Sequence, residues 1–110
     1  MTAALAAPLP DGWRRIYFFA IDRNGAKVHA GTRVRVLSLS SQRLDALSAA
    51  ERHQALAMVG EVFDVENTDP YTAHAWIRKS WLAEDGFTRN EIALALAAHE
   101  IEVVADEPRN

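Results

Sequence analysis

Gly60-Glu61-Val62-Phe63-Asp64-Val65-Glu66, then the turn-rich Asn67-Thr68-Asp69-Pro70, then Ala73-His74-Ala75-Trp76-Ile77-Arg78-Lys79-Ser80-Trp81: this stretch decides the fold. Its first part alternates, with Phe63 and Val65 directed inward as in a half-buried strand, and the Asn, Asp and Pro that follow suit a tight reversal. The second part divides into Ala75/Ile77/Lys79/Trp81 and His74/Trp76/Arg78/Ser80. The first set is the core face, because the second carries more polar groups. Two strands joined by a short turn make a hairpin, with Trp76 on its outer face.

Downstream, Glu84-Asp85-Gly86 marks another turn, and Asn90 to Leu96 follows. There the alanines favour helix, but Ile92, Leu94 and Leu96 alternate, which favours strand, and strand is preferred. A helical turn at Ala97 to His99, a short strand from Ile101 to Val104 and a polar tail over 106–110 complete the chain. Upstream, Ser48-Ala49-Ala50-Glu51 is a capping box, in which the Ser48 hydroxyl accepts from the Glu51 amide and the Glu51 carboxylate from the Ser48 amide. A helix starts there, passes Ala55, Leu56 and Met58, and stops near Gly60; Leu44 and Leu47 precede it, with a further helical turn over Ser41 to Ala46.

Gly31 opens Thr32-Arg33-Val34-Arg35-Val36-Leu37, a strand with its valines inward and its arginines toward water. Before it stand a short strand around Ala26 to His29 and a strand from Trp13 to Ile21, closed by Asp22-Arg23-Asn24-Gly25. The faces of that first strand, Ile16/Phe18/Ala20 and Tyr17/Phe19/Ile21, are both apolar, so either both pack inside the domain or one is a subunit contact. Residues 1–11 read as a loose arm, interrupted by Pro8 and Pro10 and without the apolar run of a secretory signal.

The chain has 110 residues, 49% hydrophobic and 25% charged, values that fit one globular core. The absence of cysteine removes disulfides, thiolate metal sites and cysteine nucleophiles. A net charge of −3 with scattered Lys and Arg argues against a general phosphate-backbone binder. His29, His53, His74 and His99 have no metal-motif spacing, and the serines of Ser38-Leu39-Ser40-Ser41 read as capping material. Glu84-Asp85 sits in a turn, and Glu100/Glu102 reads as solvated charge guarding an edge strand. The five glycines are isolated, so no phosphate loop is present, and no apolar run is long enough for a membrane span. These features lead us to expect a cytoplasmic protein without a cofactor.

From Gly31 onward the order is Gly-Thr-Arg-Val-Arg-Val, a long helix-bearing excursion, Gly-Glu-Val-Phe-Asp-Val, a turn, Ala-Trp-Ile-Arg-Lys, another strand, then Ala-His-Glu-Ile-Glu-Val-Val. This resembles an SH3-like small barrel, and the Gly-Glu-Val-Phe and Glu-Ile-Glu wording is similar to that of small bacterial proteins. The resemblance implies five bent strands, a long loop after the first and a helical turn before the last. The expected class is therefore mainly β (α+β): a single domain with an N-terminal aromatic hairpin over 12–30, a barrel over 31–105 and one helix inserted after the first barrel strand. The long loop has Leu44, Asp45 and Leu47 but no aromatic, which argues against proline-rich ligands.

The surface richest in binding chemistry is aromatic. Tyr71, Trp76, Trp81 and Phe87 lie on or beside the central hairpin, with Arg78, Lys79 and Arg89 nearby. Tyr71, Trp76 and Arg78 form the expected partner-binding flank, and Tyr17 and Phe19 of the first strand form a possible homodimer face. The expectation is a non-enzymatic protein-interaction module. Its alternatives are a single-stranded nucleic-acid binder that stacks bases on the same aromatics, and an accessory or regulatory subunit of a larger enzyme.

Overall fold

In the computed structural model, which describes residues 15–105, the chain is mainly strands in three small antiparallel sheets with two short helices, an α+β architecture. Strands β1 (Ala20–Ile21) and β2 (Lys27–Val28) form a small hairpin, followed by β3 (Arg33–Val36). Helices α1 (Ser41–Asp45) and α2 (Ala49–Ala57) come next, then β4 (Val62–Asp64), β5 (Asn67–Thr68), β6 (Ala75–Leu82) and β7 (Arg89–Leu96). A 3-10 turn at Ala98–Glu100 leads into β8 (Ile101–Val103). The larger sheets have the orders β4-β3-β8 and β5-β6-β7.

The link between those sheets is the stretch from Val62 to Thr68. Only Val65 and Glu66 separate β4 from β5, and both stay bonded: the Val65 amide donates to the Thr32 carbonyl at 2.9 Å, and the Glu66 amide donates to the Trp76 carbonyl at 2.8 Å. Residues 62–68 therefore act as one bent strand. Its first half pairs with β3, its second with β6, and the bend passes it from one sheet to the other. Neither sheet closes on itself.

The core is one cluster drawn from all three sheets and the α2 region, and strand alternation explains most of its membership. Val34 and Val36 are buried while Arg33 and Arg35 are exposed; Ala75 and Ile77 are buried while Arg78 and Ser80 are exposed; Ile92, Leu94 and Leu96 are buried in β7. Trp81 and Phe63 pack partly buried against this cluster, and Ala55 and Met58 seal it from α2. The inward and outward sets of β6 stand as expected, and so does the strand over Arg89–Leu96, but the expected hairpin is corrected: Val62–Asp64 pairs with β3, and Asn67–Thr68, read as turn, is the strand that pairs with β6. The capping box also forms: the Glu51 amide donates to Ser48 Oγ at 3.2 Å, and the Ser48 amide donates to Glu51 Oε1 at 2.9 Å. The chain leaves α2 at Gly60, whose φ of +90° suits the residue without a Cβ and lets its amide reach the Val36 carbonyl.

Two further expectations are corrected. The first strand reaches only from Ala20 to Ile21, and Ile16, Tyr17 and Phe18 are exposed outside any sheet. Its register pairs Ala20 with Val28, so Phe19 and the residues before it would need His29, Ala30 and Gly31 as partners. There the chain turns, with the Thr32 amide on the His29 carbonyl and the Gly31 amide on Val65, and no partner remains. The packing of both apolar faces inside the domain fails with it. The helical turn before β8 is displaced by one residue and takes in Glu100, which is buried instead of lying solvated on an edge strand. Trp13, the arm over 1–11 and the tail over 106–110 lie outside the described residues.

Candidate functional site

The aromatic flank is built on the turn between β5 and β6. Asp69 accepts at Oδ1 from the amides of Tyr71 (2.8 Å) and Thr72 (3.2 Å), and these bonds, the Tyr71 one foremost, hold its carboxyl below the usual range. The Ala73 amide donates to the Asp69 carbonyl at 2.8 Å, closing the loop with Ala73 at φ 61°, a left-handed conformation that costs a residue with a Cβ. The framed Tyr71 is 53% exposed. The Tyr17 amide donates to the Pro70 carbonyl at 2.7 Å, which brings the N-terminal aromatic run to this turn. Ile16, Tyr17, Phe18 and Tyr71 thus share a corner, and Phe18 is 89% exposed.

Phe19 stands apart from that corner. It is half-buried, with its ring 5.8 Å from His29 and Lys27 Nζ 5.0 Å above its centroid. Trp76 lies half-buried on the outer face of β6, with Asn67 and Ala95 as its neighbours across the sheet. Arg78, two residues on, is held from both sides. Its Nε donates to Glu66 Oε2 at 2.7 Å, its Nη2 to Glu66 Oε1 at 3.2 Å, and its Nη1 to Glu91. Glu66, and then Glu91, push the guanidinium pKa further up, and Arg78 in turn draws the Glu66 carboxyl down. An arginine engaged by two carboxylates has its charge balanced in place and is poorly suited to anchor a phosphate or an acidic side chain.

Two carboxylates, one expected in a turn and one expected to be solvated, are buried. Glu100 is fully buried and accepts from Arg43 Nη2 (2.7 Å) and Nε (3.2 Å) and from the amides of Ala97 (2.8 Å) and Ser40 (3.0 Å). Burial opposes its ionisation, but Arg43 and the two amides outweigh it and hold the carboxyl below its usual range. Asp22, 2% exposed, accepts from the amides of Asn24 and Ala26 at Oδ1 and of Val103 at Oδ2, each at 2.8 Å. These bonds lower its pKa against the cost of burial. Both groups have every polar atom satisfied and serve the architecture, fixing the long loop and the hairpin to the β8 end of the sheet.

A shallow cleft of about 350 Å³ lies between the first turn of α2 and the β6–β7 hairpin, lined by Ser48, Ala50, Glu51, Trp81, Asn90 and Glu91. Ser48 and Glu51 are committed to the capping box and Glu91 to Arg78, so no set of free groups converges there. Among the described residues, no three His, Asp or Glu side chains are grouped to hold a metal ion, and no helix is long and apolar enough to cross a membrane. No protein-family model matches the chain, and no curated protein or solved structure matches it.

Proposed function

We propose that the chain is a non-enzymatic protein-interaction module built on an SH3-like small barrel, with the corner formed by Ile16, Tyr17, Phe18 and Tyr71 as its contact surface. The barrel reading is supported by strand order: β3 pairs with both β4 and β8, one bent strand serves both sheets, and a 3-10 turn precedes the last strand. The interaction reading is carried by Phe18, an 89% exposed aromatic with exposed Ile16 and Tyr17 beside it, tied to the Tyr71 turn. Covering such a cluster removes apolar area from water at about 25 cal/mol per Å², and aromatic anchors dominate the energetics of interfaces.

Within the expected flank, Tyr71 belongs to this surface, Trp76 lies half-buried on the outer face of β6, and Arg78 is ion-paired with Glu66 and Glu91. The single-stranded nucleic-acid alternative has less support, since Arg78 is balanced by Glu66 and Glu91 and the chain carries net negative charge. The test is affinity capture with the wild type, Phe18→Asp and, as a control on another exposed apolar residue, Leu56→Asp. The expected result is a partner retained by the wild type and the control and lost with Phe18→Asp, whose circular dichroism is unchanged. Equal retention by all three proteins removes the assignment.

A further inference from the structure

The two larger sheets treat their outer edges differently. At the β8 edge, the Ile101 carbonyl accepts from the Arg23 amide at 3.1 Å and the Val103 amide donates to Asp22 at 2.8 Å, so the Asp22 turn occupies the edge. Among the described residues the β7 edge has no such backbone cover. The Ala83 amide donates to the Thr88 carbonyl, which sets the alternation of the antiparallel ladder: residues 90, 92, 94 and 96 bond toward β6, and the backbone groups of Arg89, Glu91, Ala93 and Ala95 point away from it. Among the described residues no hydrogen bond reaches those outward groups. Arg89, Glu91 and Ala93 are exposed. From Ile92 to Leu96 this edge has no charge, proline or glycine, the devices that ordinarily keep an edge from pairing.

We propose that β7 pairs antiparallel with β7 of a second copy, about a twofold axis at Ala93, joining two three-stranded sheets into one of six strands. In this register Ala93 faces Ala93, Glu91 faces Ala95, and Ile92 faces Leu94, so no like charges meet and the outward rows match hydrogen-bonding positions. A register centred on Glu91 sets two carboxylates opposite each other, and one centred on Ala95 leaves most of the strand unpaired. A second copy fits better than an unrelated extended segment because the edge is self-complementary, and the twofold uses up both edges, closing the assembly at a dimer. This surface is separate from the aromatic corner and does not depend on it.

Light scattering coupled to size exclusion is expected to give a dimer for the wild type. Ala93→Lys, which sets two ammonium groups across the axis, should weaken it about tenfold or more, whereas Ala95→Lys, which faces Glu91, should keep it. Since the chain lacks cysteine, Ala93→Cys adds a lone thiol. Hydrogen-bonded antiparallel partners have Cα atoms about 5.5 Å apart, within disulfide range, so this variant should cross-link on mild oxidation. Two copies of Ala95→Cys would hold their thiols about 13 Å apart along the strand and should not. Phe18→Asp should leave the dimer intact, so the edge and the aromatic surface fail separately. A monomeric wild type, a dimer indifferent to Ala93→Lys, a dimer lost in Phe18→Asp, or Ala95→Cys cross-linking as readily as Ala93→Cys overturns the assignment.

Discussion

Glu100 gathers Arg43, Ser40 and Ala97 around one buried carboxylate, so truncating Arg43 leaves a charge without its counterion in the core. Arg43→Ala is expected to cost about 3 kcal/mol in urea unfolding, a large share of what a domain of this size possesses. The pH dependence follows from the same groups. Asp22 and Glu100 both have folded pKa values below their unfolded ones, so their contribution is complete above the ordinary carboxylate range near pH 4.5 and is lost as pH falls through the folded values. The urea midpoint should be flat from neutrality to about pH 5 and drop below that, and the drop should be shallower in Glu100→Gln. Ala73 at φ 61° gives the opposite sign: Ala73→Gly relieves the left-handed strain and should raise stability by up to about 1 kcal/mol, less the extra freedom glycine has when unfolded, read as a higher thermal midpoint.

At the scale of elements, local chemistry that acts over a few residues was readable. The Ser48 to Glu51 spacing located the start of α2, and Ser48→Ala should cost about 1 kcal/mol in thermal or urea unfolding because one amide of the first turn loses its acceptor. Alternation gave the inward faces of β6 and β7, since burial on a pleated sheet repeats every second residue. Tyr17 to Phe19 misled for the complementary reason. Aromatic and branched residues announce an extended segment, but a strand also needs a neighbour, and whether the chain turns away at His29 to Thr32 is decided by bonds to distant Val65. Glu100 was misread for the same cause, because besides the Ala97 amide its partners lie 57 and 60 residues back in Arg43 and Ser40, and nothing beside it in the chain records those two. The basic character of Arg78 was readable, but its pairing with Glu66, 12 residues away, was not, and in the structure Arg78 bridges Glu66 and Glu91.

Across the whole molecule, the bent strand over 62–68 makes the two large sheets interdependent, since neither can lose it without opening the other. The β8 end completes what that strand begins. Asp22 binds the Val103 amide across 81 positions of sequence, and Val36 lies opposite Ile101 in the sheet, so the first and last elements are neighbours only in the finished structure. The β6–β7 hairpin pairs locally across a short turn, but one side of Val34 and Val36 waits for β8, whose paired residues lie 69 and 65 positions further along the chain. Closing so long a loop before its contacts reward it slows folding, and the incomplete chain meanwhile offers β3 as an open template to its neighbours. The carboxylate of Asp22 is thus also a latch on synthesis: Oδ1 can take the Asn24 and Ala26 amides at once, but Oδ2 has nothing to hold until Val103 has been added.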